Sequence, residues 1–275
     1  MSGQEGRRSI FITGGGSGIG RAVARHFAAR GWFVGLADVS ERGMAETVAL
    51  LPPGQSHSQR FDVRDRAGWD SALAAFAEAA GGRIHVVFNN AGVGVGGLLD
   101  QLSQEEIDTL IDVNIRGVVY GAQAAYPWLK ASAPDSALVN TSSAAGNYGT
   151  GGLALYSASK FAVRGLTEAL DLEWHADRIK VCSLMPAFVD TPILDGPNNR
   201  ANNDNRRDSI VRAGFDFIPA EAVAEAMWQA VHRGRQVHNQ VGKVARQLAF
   251  AARWTPRLLR RRLLRLMAAA GVERT

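Results

Sequence analysis

Cysteine is almost absent: Cys182 is the only one in 275 residues, which excludes an intramolecular disulfide and makes a reducing cytoplasm the simplest expected home. Long apolar runs are missing too. The polar start MSGQEGRR leads into an apolar stretch of about six residues, against the ~20 needed to cross a bilayer, so neither a signal peptide nor a membrane span is expected. The six histidines (26, 57, 85, 175, 232 and 238) show no metal-ligand spacing, and no metal is expected. There is no internal repeat, which excludes a solenoid. With 46% hydrophobic and 21% charged residues, the composition also excludes a disordered or fibrous chain.

What is present is an alternation. Ser9–Thr13, Phe33–Ala37, His57–Phe61, Ile84–Phe88, Ala137–Asn140 and Ile179–Leu184 read as strands, most of them nearly continuous runs of Val, Ile, Phe and Leu. Between them Gly18–Ala29, Ser40–Leu50, Arg66–Ala80, Gln104–Lys130 and Tyr156–His175 have helical period. Such alternation predicts an α/β fold with a single doubly wound parallel sheet, helices covering both faces. Ligands of such sheets bind beyond the carboxyl ends of the strands, where the strand order reverses. Residues 190 to 218 are polar and suit a mobile substrate lid; Pro219–Arg233 resumes an amphipathic helix, and a last strand within Gln236–Val241 is uncertain. The net charge of +5 is uneven: from Lys243 to Thr275 nine Lys/Arg face one acid, leaving about −3 on the first 242 residues. The expected division is a catalytic domain over 1–242 and a basic amphipathic helical tail over 243–275.

The loop Thr13-Gly14-Gly15-Gly16-Ser17-Gly18-Ile19-Gly20 joins the first strand to the first helix. Glycines there permit a tight turn and let helix N-terminal N–H groups approach a pyrophosphate. Gly14, Gly16, Ser17, Gly18, Ile19 and Gly20 are therefore candidate dinucleotide contacts. Asp38 ends the second strand 18 residues after Gly20, near the separation expected of an acid that bonds ribose hydroxyls. Its carboxylate would repel a 2′-phosphate, so NAD is expected in preference to NADP. Asp62 and Val63, after the third strand, are candidates for the adenine; Asn90, Ala91 and Gly92, after the fourth, would let the backbone pass close to the cofactor.

Tyr156 and Lys160 stand at i and i+4 of a helix, so the ammonium can lie near the phenol. A neighbouring cation favours phenolate and lowers a pKa that starts near 10. Ser143, at the end of the fifth strand, is placed to donate a hydrogen bond to a substrate oxygen. Asn114, inside the long helix, is placed to hold a water linking Lys160 to solvent.

Across most of residues 8 to 235 the chain resembles the short-chain dehydrogenase/reductase family. TGGGSGIG is similar to the family's TGxxxGIG, NNAG stands at 89 to 92, YSASK fits its YxxxK, and Ser143 lies at the family's spacing of 13 residues before Tyr156. The resemblance implies a Rossmann-type fold and oxidoreductase activity. It also implies a catalytic tetrad of Asn114, Ser143, Tyr156 and Lys160, with Lys160 and Tyr156 at the nicotinamide ribose. The family usually has Pro-Gly after the sixth strand, where this chain has Pro186-Ala187; cofactor binding is expected to survive, with Pro186, Val189 and Thr191 at the nicotinamide.

Val93, Gly94, Ala145, Asn147, Tyr148, Leu153 and Phe188 are the expected pocket lining. They are mostly apolar, favouring a hydrophobic secondary alcohol or ketone as substrate. Reduction of a carrier-linked 3-ketoacyl chain and a non-catalytic NAD-binding sensor or scaffold are the alternatives. The tail, with paired leucines among arginines, is expected to pack on the body or a partner subunit in preference to an anionic membrane, and nucleic acid is not expected. The resemblance also implies a homodimer or homotetramer built on the helices Gln104–Lys130 and Tyr156–His175.

Overall fold

Runs of β-branched and aromatic residues become buried strands in the computed structural model, which describes residues 7–195, 197–199 and 204–269. The chain order is β1 (Ser9–Thr13), α1 (Gly18–Ala28), β2 (Phe33–Asp38), α2 (Glu41–Val48), β3 (Ser56–Arg60), α3 (Arg66–Ala79), β4 (Val86–Asn89), α4 (Gln104–Ile111), α5 (Gly117–Ser132), β5 (Ala137–Thr141), α6 (Ala154–Glu173) and β6 (Lys180–Pro186). There follow a short hairpin β7 (Pro197–Asn199) and β8 (Asp204–Asn205), then α7 (Arg206–Arg212), α8 (Ala220–His232), β9 (His238–Val241), α9 (Lys243–Trp254) and α10 (Pro256–Ala269). Among the described residues no helix is long and apolar enough to cross a membrane.

The main sheet has the order β3-β2-β1-β4-β5-β6-β9, with every pairing parallel. Strand order reverses between β1 and β4, where Ile10 pairs with Val86 and Ile12 with Phe88. Alternate strand residues face opposite layers. Ile10, Ile12, Val34, Val86 and Val139 pack with Val23 and Phe27 of α1 and Val223 and Met227 of α8. Phe11, Phe33, Val87, Leu138 and Val181 pack with Trp69, Leu73 and Phe76 of α3, Ala125 and Leu129 of α5, and Leu170 of α6. Two covered faces are why these strands are apolar throughout.

Several expected boundaries move. The third strand runs Ser56–Arg60, one residue earlier than expected. As the sheet's edge it pairs only with β2, so its polar side chains are tolerated, and Phe61 leaves the strand to pack edge-on against Trp69 at 5.0 Å. The single helix expected over Gln104–Lys130 is two helices joined by a π-helical turn, Asp112–Arg116. Ser103 and Glu106 close a capping box at the start of α4. The stretch expected as a mobile segment contains α7 and packs Leu194 and Ile210 into the interior; residues 196 and 200–203 lie outside the described part. The uncertain last strand is real: β9 pairs with β6 through Leu184 and Asn239.

Candidate active site

The glycine loop is wound so tightly that its glycines are dictated by space. A Cβ on Gly20 would stand 2.1 Å from the Gly14 carbonyl oxygen, and Gly14 itself has φ of +68°, a conformation that L side chains resist. Gly16 N–H donates to Asp38 Oδ2 at 2.9 Å and Ser40 N–H to Oδ1 at 2.9 Å. Each carboxylate oxygen has two lone pairs, so Asp38 retains acceptor capacity for a vicinal diol while standing against the loop. Thr13, the first residue of the glycine loop, organises the switch point. Its hydroxyl accepts from Asn90 N–H at 3.0 Å and Ala91 N–H at 3.1 Å, and Asn90 Nδ2 donates to the Thr13 carbonyl at 3.0 Å. The loop after β6 closes the cradle: Thr191 Cγ2 would lie 2.9 Å from a Cβ on Gly18, and Thr191 and Val189 are buried. These residues fit a dinucleotide laid across the ends of β1 and β4.

The adenine candidates fit less simply. Asp62 is held bidentately by Arg64, the shortest contact 2.6 Å, and this hydrogen bonding holds its carboxyl below the usual range. The Val63 carbonyl accepts from Trp69 Nε1 at 3.0 Å. Both groups already serve the chain's own structure.

Beyond β5 the fold gathers the catalytic candidates. Ser142 is buried and its hydroxyl donates to the Lys160 carbonyl at 2.9 Å, a structural tie. Ser143 is the serine that reaches the Tyr156 phenol, its oxygen also accepting from Ala145 N–H at 3.1 Å. Lys160 Nζ donates to the Thr141 carbonyl at 3.0 Å and lies 5.6 Å from the centre of the Tyr156 ring. Burial lowers the Lys160 pKa to about 8. For Tyr156 the expected lowering does not prevail. Burial pushes the phenol up, while the Ser143 hydrogen bond and the charge of Arg206 pull it down.

Asn114 is fully buried in the π turn. Its Oδ1 accepts from Val93 N–H at 2.9 Å, and its Nδ2 donates to the Val93 carbonyl at 2.9 Å and to Ser159 Oγ at 3.3 Å. Through its side chain Asn114 clamps the loop after β4. Gly92 lies alongside: a Cβ there would be 3.3 Å from Asn114 Oδ1 and 3.6 Å from Lys160 Nζ. A π turn, with its wider ladder, is a frequent way to turn one such residue inward.

Among the pocket candidates, Val93, Gly94, Ala145, Tyr148, Leu153 and Phe188 are all partly buried, whereas the Asn147 amide pairs with that of Gln240 at 3.0 Å. After Pro186-Ala187 the backbone turns left-handed at Phe188 (φ 48°), whose ring packs on Phe215 at 4.9 Å. Phe188 also packs against the buried cluster of Ala144, Ala187 and Ala245, and Ala245 belongs to α9, so the tail forms part of its support. Arg206 also acts electrostatically on Tyr156, although composition assigned it to a polar surface stretch; only the return path of the chain after β6 brings it here.

This chain belongs to the short-chain dehydrogenase family: the family model described as short chain dehydrogenase matches residues 8–202. It is 36% identical over 205 residues to meso-2,3-butanediol dehydrogenase of Serratia marcescens, covering 74% of this chain and 80% of that one. It is 32% identical over 227 residues to levodione reductase of Leifsonia aquatica, covering 80% and 83%. A short chain dehydrogenase/reductase from Burkholderia phymatum, solved in complex with NAD, superimposes with a TM-score of 0.82 at 30% identity over 92% of this chain and 94% of its own. The chain is thus an oxidoreductase of secondary alcohols and ketones with a Rossmann-like sheet and a helical C-terminal region.

Proposed function

We propose that the chain is an NAD-dependent oxidoreductase that interconverts a secondary alcohol and its ketone, with Tyr156 as the acid/base. The observation that supports this reading is that the Ser143 hydroxyl hydrogen-bonds the Tyr156 phenol and the Lys160 ammonium stands over the Tyr156 ring, 5.6 Å from its centre. NAD would supply the hydride acceptor in one direction and the hydride donor in the other. Gly14, Gly16, Ser17, Gly18, Ile19 and Gly20 would hold its pyrophosphate and Asp38 its ribose hydroxyls, with Asn90, Ala91, Gly92, Pro186, Val189 and Thr191 along the remainder. Asp38 sets the preference for NAD, since a fixed carboxylate repels a 2′-phosphate. The dinucleotide in the Burkholderia phymatum structure supports the same choice.

In the oxidative direction the substrate hydroxyl is gripped by Ser143 and gives its proton to Tyr156 in its phenolate form as its carbon becomes carbonyl. In the reductive direction Tyr156 returns that proton. Lys160 keeps positive charge beside the phenol, and Asn114 fixes the Val93 loop that borders the reacting carbon. The apolar lining from Val93, Ala145, Tyr148, Leu153 and Phe188 supports a hydrophobic substrate body. The segment 190–218 is read as its lid. Exposed Val119, Phe161 and Leu172 on α5 and α6 are read as contacts of a homodimer or homotetramer, which light scattering of the eluting protein would check against a monomer mass.

Tyr156→Phe should lower kcat by about 10²–10⁴-fold on any secondary alcohol the wild type oxidises, followed by the absorbance of the reduced cofactor. Undiminished turnover removes Tyr156 from the mechanism.

A further inference from the structure

The two helices of the tail each have two unlike sides. On α9 Ala245 is buried and Leu248 and Ala252 are half-buried, while Lys243, Arg246, Phe250, Arg253 and Trp254 are exposed. On α10 Leu259 is buried and Leu263, Leu266 and Met267 are half-buried, while Arg257, Leu258, Arg261, Leu264 and Arg265 are exposed. Steps of three and four residues keep each set on one side of its helix. Packing on the body therefore accounts for the inner sides only. Phe250, Trp254 and Leu258 are 63%, 65% and 61% exposed, so the outer sides are apolar as well as cationic.

Charge decides what can cover them. Between Lys243 and Val272 the chain has eight Lys/Arg and no acid, and among the described residues none of these eight cations is paired with a carboxylate. A second copy seated by two-fold symmetry would bring the same cations against themselves. Nucleic acid would use the cations through its phosphates but leave Phe250, Trp254, Leu258 and Leu264 without a part. A bilayer with anionic headgroups uses both. Its negative surface attracts the cations, while Trp, Phe and Leu enter the boundary between headgroups and acyl chains, and the long arginine stems keep their guanidinium groups at headgroup level. We propose that the outer sides of α9 and α10 form a docking surface for an anionic lipid bilayer, on which the protein lies without crossing it.

Docking is independent of the redox reading and is tested without it. Full-length protein would be sedimented with vesicles of phosphatidylcholine alone and with vesicles in which about a third of the lipid is phosphatidylglycerol, at low and high salt. The wild type should bind the anionic vesicles about tenfold or more tighter than the neutral ones, and the preference should fall as salt rises. Two variants, Phe250→Ser with Trp254→Ser and Arg257→Gln with Arg261→Gln and Arg265→Gln, should each weaken anionic binding by roughly fivefold or more. Their side chains are exposed, so thermal melts should match the wild type. Quenching of tryptophan fluorescence by brominated acyl chains should be largely lost in Trp254→Phe. Equal affinity for the two kinds of vesicle overturns the proposal, as does the absence of vesicle binding or unchanged binding in both variants. Quenching retained in Trp254→Phe places another side of the molecule on the bilayer and overturns it too. So does binding of duplex DNA or RNA, or a rise in mass with concentration that the same variants abolish, where the vesicles bind nothing.

Discussion

Lys160 stands in its pocket at an energetic cost. Its pKa of about 8 lies below the ordinary 10.5, so the folded protein disfavours the protonated ammonium relative to the unfolded chain. That penalty is full below about pH 8 and fades as pH rises toward 10.5, because the unfolded state binds the proton more tightly in that window. Replacing the ammonium with an uncharged chain of similar volume should relieve it. Lys160→Met is expected to be more stable than wild type by about 1–3 kcal/mol at neutral pH, with the difference shrinking above pH 9 as the penalty fades, while its turnover collapses. Thermal melts across pH would check this, and a Lys160→Met protein less stable than wild type at pH 7 would refute it. The tight glycines make the companion point. Gly14 and Gly20 are fixed by sterics within a few residues, so the cofactor loop was readable from the chain alone, whereas Arg206 carried no local mark.

At the level of elements, α3 is anchored through Phe76. Its ring lies 5.4 Å from Phe11 and stacks on Phe33 at 5.8 Å, fully buried. A Cβ on Gly35 of β2 would come within 2.5 Å of the same ring, so the glycine is what admits the phenylalanine. Phe76→Ala should cost about 3–5 kcal/mol, and Gly35→Ala about 1–3 kcal/mol through overpacking. Denaturant unfolding of both would check the order; a neutral Gly35→Ala would mean the ring has room to move. Helical period did not reveal the π turn within Gln104–Lys130. It depends on Asn114 finding Val93 and Ser159, which are distant in sequence, and periodicity cannot register a partner elsewhere in the chain.

For the molecule as a whole, the tail is the element whose role composition left most open. Ala245 and Leu259 are buried, and Met267 approaches Gly151 so closely that a Cβ there would be 2.1 Å from its sulfur. Phe250, Trp254 and Leu258 remain exposed. The tail therefore braces both Phe188 and the loop that leads into α6. A protein ending at Gly242 should lose about 2–5 kcal/mol, from the lost burial of a few apolar side chains, and should show a raised KM with a smaller change in kcat as that side of the pocket loosens. Unfolding curves and steady-state kinetics of the two lengths would check it, and unchanged values would show that the tail only decorates the body.

The alternation of strands and helices, the glycine loop, Asp38 and the pair Tyr156 and Lys160 were determined by sequence, because period, turn sterics and one-turn spacing are local properties. The tie that Ser142 makes to α6, the clamp made by Asn114, the left-handed turn at Phe188 and the burial of Arg206 beside the reacting centre were decided by tertiary structure. Each depends on segments far apart in the chain arriving at one end of the same sheet, and no spacing along a single segment encodes that meeting.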